Sequence, residues 1–244
     1  SEKLREKIDD DRFYGITGHR NTASYGIQKA MWVKENLPEV YERTDKFLNA
    51  KDYMVYKLTG KFYTDCSDAN SMDCLDLAKR DWSEEIVSAS GVDQDKLPKI
   101  VESVFHVGNV TERAAKETGL STGTKVIMGA GDGVAANVGA GCVAPGKAYC
   151  CMGTSAWVAS TSEKPVFDQA KRIVCWAHAV PGFYSPNGTM QYAGGSYSWL
   201  KNTICLDETR RAEEEGGSAY DRMNRAIAES APGAGGVLFL PYLM

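Results

Sequence analysis

The most constraining stretch of this 244-residue chain is an aspartate set between glycines where two unlike segments meet. Lys125-Val126-Ile127-Met128 is short, apolar and bounded by glycines, which reads as a buried strand. Gly129-Ala130-Gly131-Asp132-Gly133 follows, and then a run of small residues from Val134 to Gly141 that reads as a helix. Strand, glycine-rich turn and helix in that order point to α/β architecture. A carboxylate at a strand end has a rigid mount, and flanking glycines let a substrate approach it closely. The residues alone leave two readings of Asp132 open, a reacting carboxylate or a cap for the helix behind it. The glycines are not a dinucleotide fingerprint, because Val134 stands where the third glycine of G-x-G-x-x-G would fall.

Before this point the chain reads as mostly helical. Tyr25, Ile27, Met31, Trp32 and Val33 fit helical spacing between Ser24 and Asn36, Pro38 breaks the pattern, and Glu39-Val40-Tyr41 opens a second short helix. A third is expected over Lys51 to Leu58, with Met54, Val55 and Leu58 on one face and Gly60 after its end. Ser83 and Thr111 are expected N-caps of helices that Gly91 and Gly119 close. Beyond a break placed near Pro145-Gly146, Lys147 to Met152 and Ala156 to Ser160 read as a hairpin turning on Gly153-Thr154-Ser155. Helices from Ser196 to Ile204 and from Ser218 to Ser230, and a final strand from Val237 to Leu240, complete the expectation. The Gly153–Ser155 turn offers amides and two hydroxyls that suit phosphate oxygens, and equally has the composition of an ordinary hairpin turn. Gly194-Gly195 could leave a phosphate site at a helix start or simply let helix and sheet pack closely. Trp32 and Trp199 read as core residues.

Composition narrows the function classes. With 43% hydrophobic and 25% charged residues the chain is that of a globular protein. A net charge of −4 argues against a sequence-independent grip on nucleic acid. No run approaches the roughly 18 apolar residues of a membrane span, and the charged opening SEKLREKIDDDRF has no signal-peptide character. Seven cysteines without C-x-x-C spacing read as reduced thiols, hence a cytoplasmic location, and three scattered histidines give no metal cluster. The chain opens on Ser1 and stops within the apolar run GGVLFLPYLM, so the expectation is an excerpt of a longer protein.

Taken together, several segments resemble the FGGY carbohydrate kinases. SYGIQKAMWVKEN (24–36) is similar to the family's first signature, with Lys29 and Trp32 in place and Gly26 and Ala30 departing from it. NAKDYMVYKLTGKFYTDCSDAN (49–70), LAKRDWSEE (77–85) and GNVTERAAKETGLSTGTKVIMGAGDG (108–133) resemble the family in order and spacing. So do CCMGTSAWV (150–158), HAVPGFYSPNGTMQYAGGSYSWLKNTIC (178–205) and VLFLPYLM (237–244). The resemblance implies an α/β actin-like ATPase (ribonuclease H-like) fold, present as parts of two lobes. Residues 1–144 would be the C-terminal part of the N-terminal, sugar-binding lobe, and residues 145–244 the N-terminal part of the C-terminal, nucleotide-binding lobe.

The resemblance also assigns roles. Asp132 matches the catalytic base, and Gly153, Thr154 and Ser155 match a phosphate-binding turn, with Gly194 and Ser198 at nucleotide contacts. Trp157 and Gly133 fall at the sugar, although Gly133 replaces an Asn or Gln that often bonds the sugar. The implied cofactors are ATP and Mg2+, with the metal ligands and the adenine site outside this chain. The implied reaction is D-xylulose to D-xylulose 5-phosphate. The alternatives are gluconate, L-ribulose or glycerol as substrate, or a non-catalytic actin-like ATPase module. The implied partner is a small-molecule sugar, with neither nucleic acid nor membrane, and a homodimer is compatible. The 244 residues alone are expected to be inactive.

Overall fold

Short polar caps and left-handed glycines set the helix limits in the first part of the chain. The computed structural model describes residues 1–243. Ser83 and Thr111 each accept the amide three residues on, opening the helices Glu84–Ser90 and Glu112–Thr118, which end on Gly91 and Gly119 with φ of 70° and 79°. Ala50–Thr59 ends the same way on Gly60, as its sequence suggests. Two aspartates act as further caps: Asp9 opens Asp10–Thr17 and Asp65 opens Cys66–Ser71. The first signature forms the helix Gly26–Asn36, and Pro38 begins the next, Pro38–Arg43.

The strands are short. Tyr63–Asp65 pairs in parallel with Lys99–Val101, and His106–Asn109 pairs antiparallel with Lys125–Ile127. Leu75–Asp76 and Asp81–Trp82 make a small antiparallel pair. A four-stranded sheet has the order Ala148–Met152, Ala156–Ser160, Tyr184–Met190, Val174–Ala177.

The chain forms two units, residues 1–149 with 159–188, and residues 150–158 with everything from Thr189 onward. In the first unit Phe13, Ile27, Tyr41, Leu75, Leu77 and Ile86 form a core that also takes in Cys175 and Ala177 from the returning segment. A second cluster gathers Val55, Val107, Val110, Ala114, Val126 and Met128 beneath the His106–Ile127 pairing. In the second unit the helices Gly194–Thr203, Leu206–Glu215 and Ala219–Glu229 pack on one another.

Four expectations are corrected. Trp32 is not core but 57% exposed, because Ile27 and Ala30 carry the buried face of its helix. Met54 is 58% exposed beside buried Val55, so the two do not share an inward face. Lys125–Ile127 buries only one face, with Val126 inside and Ile127 59% exposed, because strand side chains alternate. Val237 to Leu240 is irregular after a short turn at Ala234–Gly236 rather than a strand, and Val237 and Leu238 are exposed. The helix Leu206–Glu215 escapes a periodicity reading because LDETRRAEEE is almost wholly polar. It is laced instead by Arg210 with Asp207 and Glu214 at helical spacing.

Within the first unit, Gly18 and Asn70 bind the returning segment 159–188 to residues 1–149. At Gly18, φ is 74°, and a Cβ would lie 2.6 Å from the Cys175 carbonyl oxygen, so the backbone approach needs glycine. The Gly18 carbonyl accepts the Cys175 amide at 3.0 Å. Asn70 is fully buried, donates from Nδ2 to the Thr17 carbonyl at 2.9 Å and accepts the Ala177 amide on Oδ1 at 2.9 Å. Asn70→Ala would strand both backbone groups without a partner. A loss of about 2–4 kcal/mol of stability is expected by urea unfolding, and a loss below about 0.5 kcal/mol would show that Asn70 does not tie the segment down.

Candidate functional site

Asp132 is the first residue of the helix Asp132–Gly139, with Gly131 before it in the capping position. The side chain is exposed, and its Oδ1 accepts the adjacent Gly133 amide at 2.7 Å, one of the free amides of the helix's first turn, so one carboxylate oxygen serves the helix start while the other has no hydrogen bond to Gly133. A Cβ on Gly133 would meet nothing within 4 Å, so the space beside Asp132 is open. The Gly133 carbonyl accepts the Tyr149 hydroxyl at 3.0 Å. Further along the helix, buried Asn137 donates to Ser185 Oγ at 2.5 Å and accepts the Cys142 amide on its backbone carbonyl. His178 fixes Cys142 in turn: burial holds its pKa down, Nε2 lies 3.0 Å from the Cys142 carbonyl, and Nδ1 accepts the Val180 amide.

Ahead of Asp132 the glycine loop is attached at two points. The Gly129 amide donates to the Ser103 carbonyl at 2.9 Å, with Gly129 at φ 73°. The Gly131 amide donates to Ser67 Oγ at 2.8 Å. A Cβ on Gly131 would sit 3.0 Å from Asp68 Oδ1 and 3.6 Å from Ser67 Oγ, so this glycine is set by close approach.

Beneath the loop lies a charged group that sequence reasoning did not single out. Lys51 Nζ is 2.8 Å from Asp52, 3.1 Å from Asp65 and 3.3 Å from Asp68. Asp65 is fully buried. Its Oδ2 accepts the Ser67 amide and the hydroxyls of Ser67 and Ser103, and its Oδ1 accepts the Asp68 amide. Burial pushes the Asp68 carboxyl up to about 6; Lys51 opposes that, and the neighbouring charges of Asp52 and Asp65 add to it. Burial likewise raises Asp52 against the pull of Lys51. Burial works against the Lys51 charge, but its three carboxylates outweigh that and its pKa is raised. The available signal was three lysines and three aspartates within 18 residues (51–68), of which Lys51 is the one that meets the aspartates, with Asp65 between a strand and a helix.

The other anticipated residues belong to the second unit. Gly153 and Thr154 are exposed and Ser155 is half-buried in the turn between Ala148–Met152 and Ala156–Ser160. The turn is sewn to the start of the helix Gly194–Thr203: Ala193 and Gly195 donate to the Thr154 carbonyl and Gly194 to that of Gly153. A Cβ on Gly194 would fall 2.5 Å from the Gly153 carbonyl oxygen, and one on Gly195 2.9 Å from Thr154 Cγ2. Both glycines therefore stand at close approaches to the turn, with their amides directed at its carbonyls. Ser198 Oγ lies 3.1 Å from the Tyr220 hydroxyl, and Trp157 is half-buried in its strand. Trp199 is half-buried against Phe239.

Among the described residues no group of three or more His, Cys, Asp or Glu side chains could hold a metal ion. The carboxylates that do gather are already bridged by the Lys51 ammonium, so these residues do not fit a Mg2+ centre.

The raised carboxyl of Asp68 makes stability depend on pH in a stated direction. Its folded pKa lies above its unfolded value, so its contribution is fully present below about pH 4 and is lost as pH rises through about 6. Removing the charge with Asp68→Asn should therefore help at pH 7 relative to pH 4. A relative gain on the order of 2 kcal/mol in unfolding free energy is expected; an unchanged or reversed difference between the two pH values would contradict the burial of an ionised Asp68.

Known proteins resemble this chain along nearly its whole length. Residues 1–139 match the N-terminal domain of the FGGY family of carbohydrate kinases. The chain is 31% identical to xylulose kinase of Bacillus subtilis (strain 168), over 99% of its own length and 46% of that protein. It is 27% identical to gluconokinase of Bacillus licheniformis, over 99% of its own length and 47% of that protein. The solved structure of xylulose kinase from Rhodospirillum rubrum superposes with a TM-score of 0.87 at 28% identity, covering 99% of this chain and 48% of that one. The chain thus spans about half the length of the curated relatives it matches. With helices and short sheets arranged as in those kinases, it has the α/β actin-like ATPase fold, and it belongs to the FGGY family of carbohydrate kinases.

Proposed function

We propose that this chain is part of an ATP-dependent sugar kinase with Asp132 as its general base, and that the sugar is D-xylulose, converted to D-xylulose 5-phosphate. In this reading residues 1–144 belong to the sugar-binding lobe and residues 145–244 to the nucleotide-binding lobe. The match of residues 1–139 to the family's N-terminal domain supports the first assignment.

The observation that carries the reading is the mounting of Asp132. Its carboxylate is exposed at the first turn of a helix, behind a loop whose two glycine amides are held by a buried serine hydroxyl and a backbone carbonyl. Such a carboxylate can accept the proton of a sugar hydroxyl as that oxygen attacks the γ-phosphorus of ATP, with ADP leaving. Phosphoryl transfer passes through a loose transition state, so holding the hydroxyl in line matters as much as basicity. The open space at Gly133 leaves room for the sugar beside the carboxylate, with Trp157 as a further sugar contact. On the exposed Gly153–Ser155 turn, the Thr154 and Ser155 hydroxyls suit phosphate oxygens, and Gly194 and Ser198 complete the nucleotide side. Mg2+ would enter with the nucleotide, neutralising phosphate charge.

D-xylulose is favoured over gluconate by the higher identity to a xylulose kinase than to a gluconokinase over the same 99% of the chain. A coupled assay of a full-length kinase carrying this chain, run over D-xylulose, gluconate, L-ribulose and glycerol, is expected to give the highest kcat/KM for D-xylulose. A higher value for another sugar overturns the substrate assignment. In the same protein Asp132→Asn is expected to cut turnover by about 10²–10⁴-fold while leaving ADP affinity unchanged. Turnover like that of the unaltered protein would remove Asp132 from the base position.

A further inference from the structure

We propose that Ser67, anchored by Asp65, is a positioning residue for Asp132, acting through the Gly131 amide. The inference rests on the reading of Asp132 as the base.

The hydrogen-bond directions fix the arrangement. Asp65 is fully buried and accepts only, so the Ser67 hydroxyl, 2.6 Å from Oδ2, must give its proton there. That leaves the lone pairs of Ser67 Oγ facing the Gly131 amide, which donates to it at 2.8 Å. The second attachment of the loop leads back to the same carboxylate. Gly129 donates to the backbone carbonyl of Ser103, and the Ser103 hydroxyl donates to Asp65 Oδ2 at 2.7 Å. One carboxylate oxygen thus holds both serines that carry the loop. Asp65 is itself immobilised by the Ser67 and Asp68 amides of the helix it caps and by Lys51 at 3.1 Å. Asp68 closes the arrangement from the side, since its Oδ1 lies where a Cβ on Gly131 would make contact. The Gly131 carbonyl accepts the Ala135 amide at 2.8 Å, so displacement of Gly131 is passed directly into the first turn of the helix that carries Asp132.

Neither Ser67 nor Asp65 touches substrate in this account; their effect is on where the Asp132 carboxylate points. A misplacement of about 1 Å at a reacting group can cost about 10²-fold in rate. Ser67→Ala removes the acceptor, and Ser67→Thr keeps it. In a full-length kinase carrying this chain, Ser67→Ala is expected to lower kcat by about 10–100-fold with the KM for ATP unchanged, and Ser67→Thr is expected to restore most of the loss. In the 244-residue chain, the Gly131 amide proton should move upfield in the NMR spectrum of Ser67→Ala and remain in place in Ser67→Thr. The inference is overturned if Ser67→Ala turns over normally while Asp132→Asn is inactive, or if the Gly131 amide does not respond. If Asp132→Asn is active, it is the base assignment that fails. A parallel rise in KM and fall in kcat that Thr does not rescue would mark Ser67 as merely structural and would also overturn the proposal.

Discussion

The Asp65 carboxylate is the interaction on which the architecture around the candidate site depends. It caps the helix Cys66–Ser71, ends the strand that pairs with Lys99–Val101, and holds the hydroxyls of Ser67 and Ser103. A buried carboxylate is costly unless its lone pairs are satisfied and its charge is compensated. Here two amides and two hydroxyls supply the first requirement and Lys51 supplies the second. Asp52 and Asp68 share the same ammonium, and burial raises both their pKa values, so the group is held together at an electrostatic cost. Such a cost is commonly tolerated where geometry has to be fixed near a functional group.

Local rules made part of this legible in the sequence. Ser83 with Gly91 and Thr111 with Gly119 are cap and stop pairs whose chemistry is contained within a few residues, and the structure forms both helices as expected. Gly129-Ala130-Gly131-Asp132 was legible as a strand-to-helix junction for the same reason. The partners of that junction were not. Ser67 and Ser103 lie 64 and 28 residues away from Gly131, and nothing in their neighbourhoods announces a contact that only the tertiary fold creates. The clearest missed signal was Asp65-Cys66-Ser67-Asp68, an aspartate cap of the same kind as Ser83.

The errors share a physical origin. Hydrophobicity puts Trp32 and Met54 inside, yet an amphipathic helix buries only one stripe, which Ile27 and Ala30 occupy on the first helix and Val55 on the other. Val237–Leu240 has strand composition, but composition cannot supply a partner strand. Leu206–Glu215 has the opposite character, a helix held by ion pairs with almost no apolar face. The glycines at 194 and 195 are open in the sequence to ligand approach or to packing; the 2.5 Å approach of the Gly153 carbonyl at Gly194 and the 2.9 Å approach of the Thr154 side chain at Gly195 show close packing at both, which leaves a ligand role for Gly194 open.

The most direct test of the account is native-state hydrogen exchange at four amides, those of Ser67, Asp68, Gly129 and Gly131, in the 244-residue chain and in its Asp65→Asn variant. Asparagine keeps the shape of the carboxylate but turns one acceptor oxygen into a donor, against groups that themselves donate. If Asp65 is the common anchor, all four amides lose protection together in the variant while the helix Glu84–Ser90 keeps its own. Loss confined to Ser67 and Asp68, with Gly129 and Gly131 as protected as before, would show that the loop before Asp132 is held by something else.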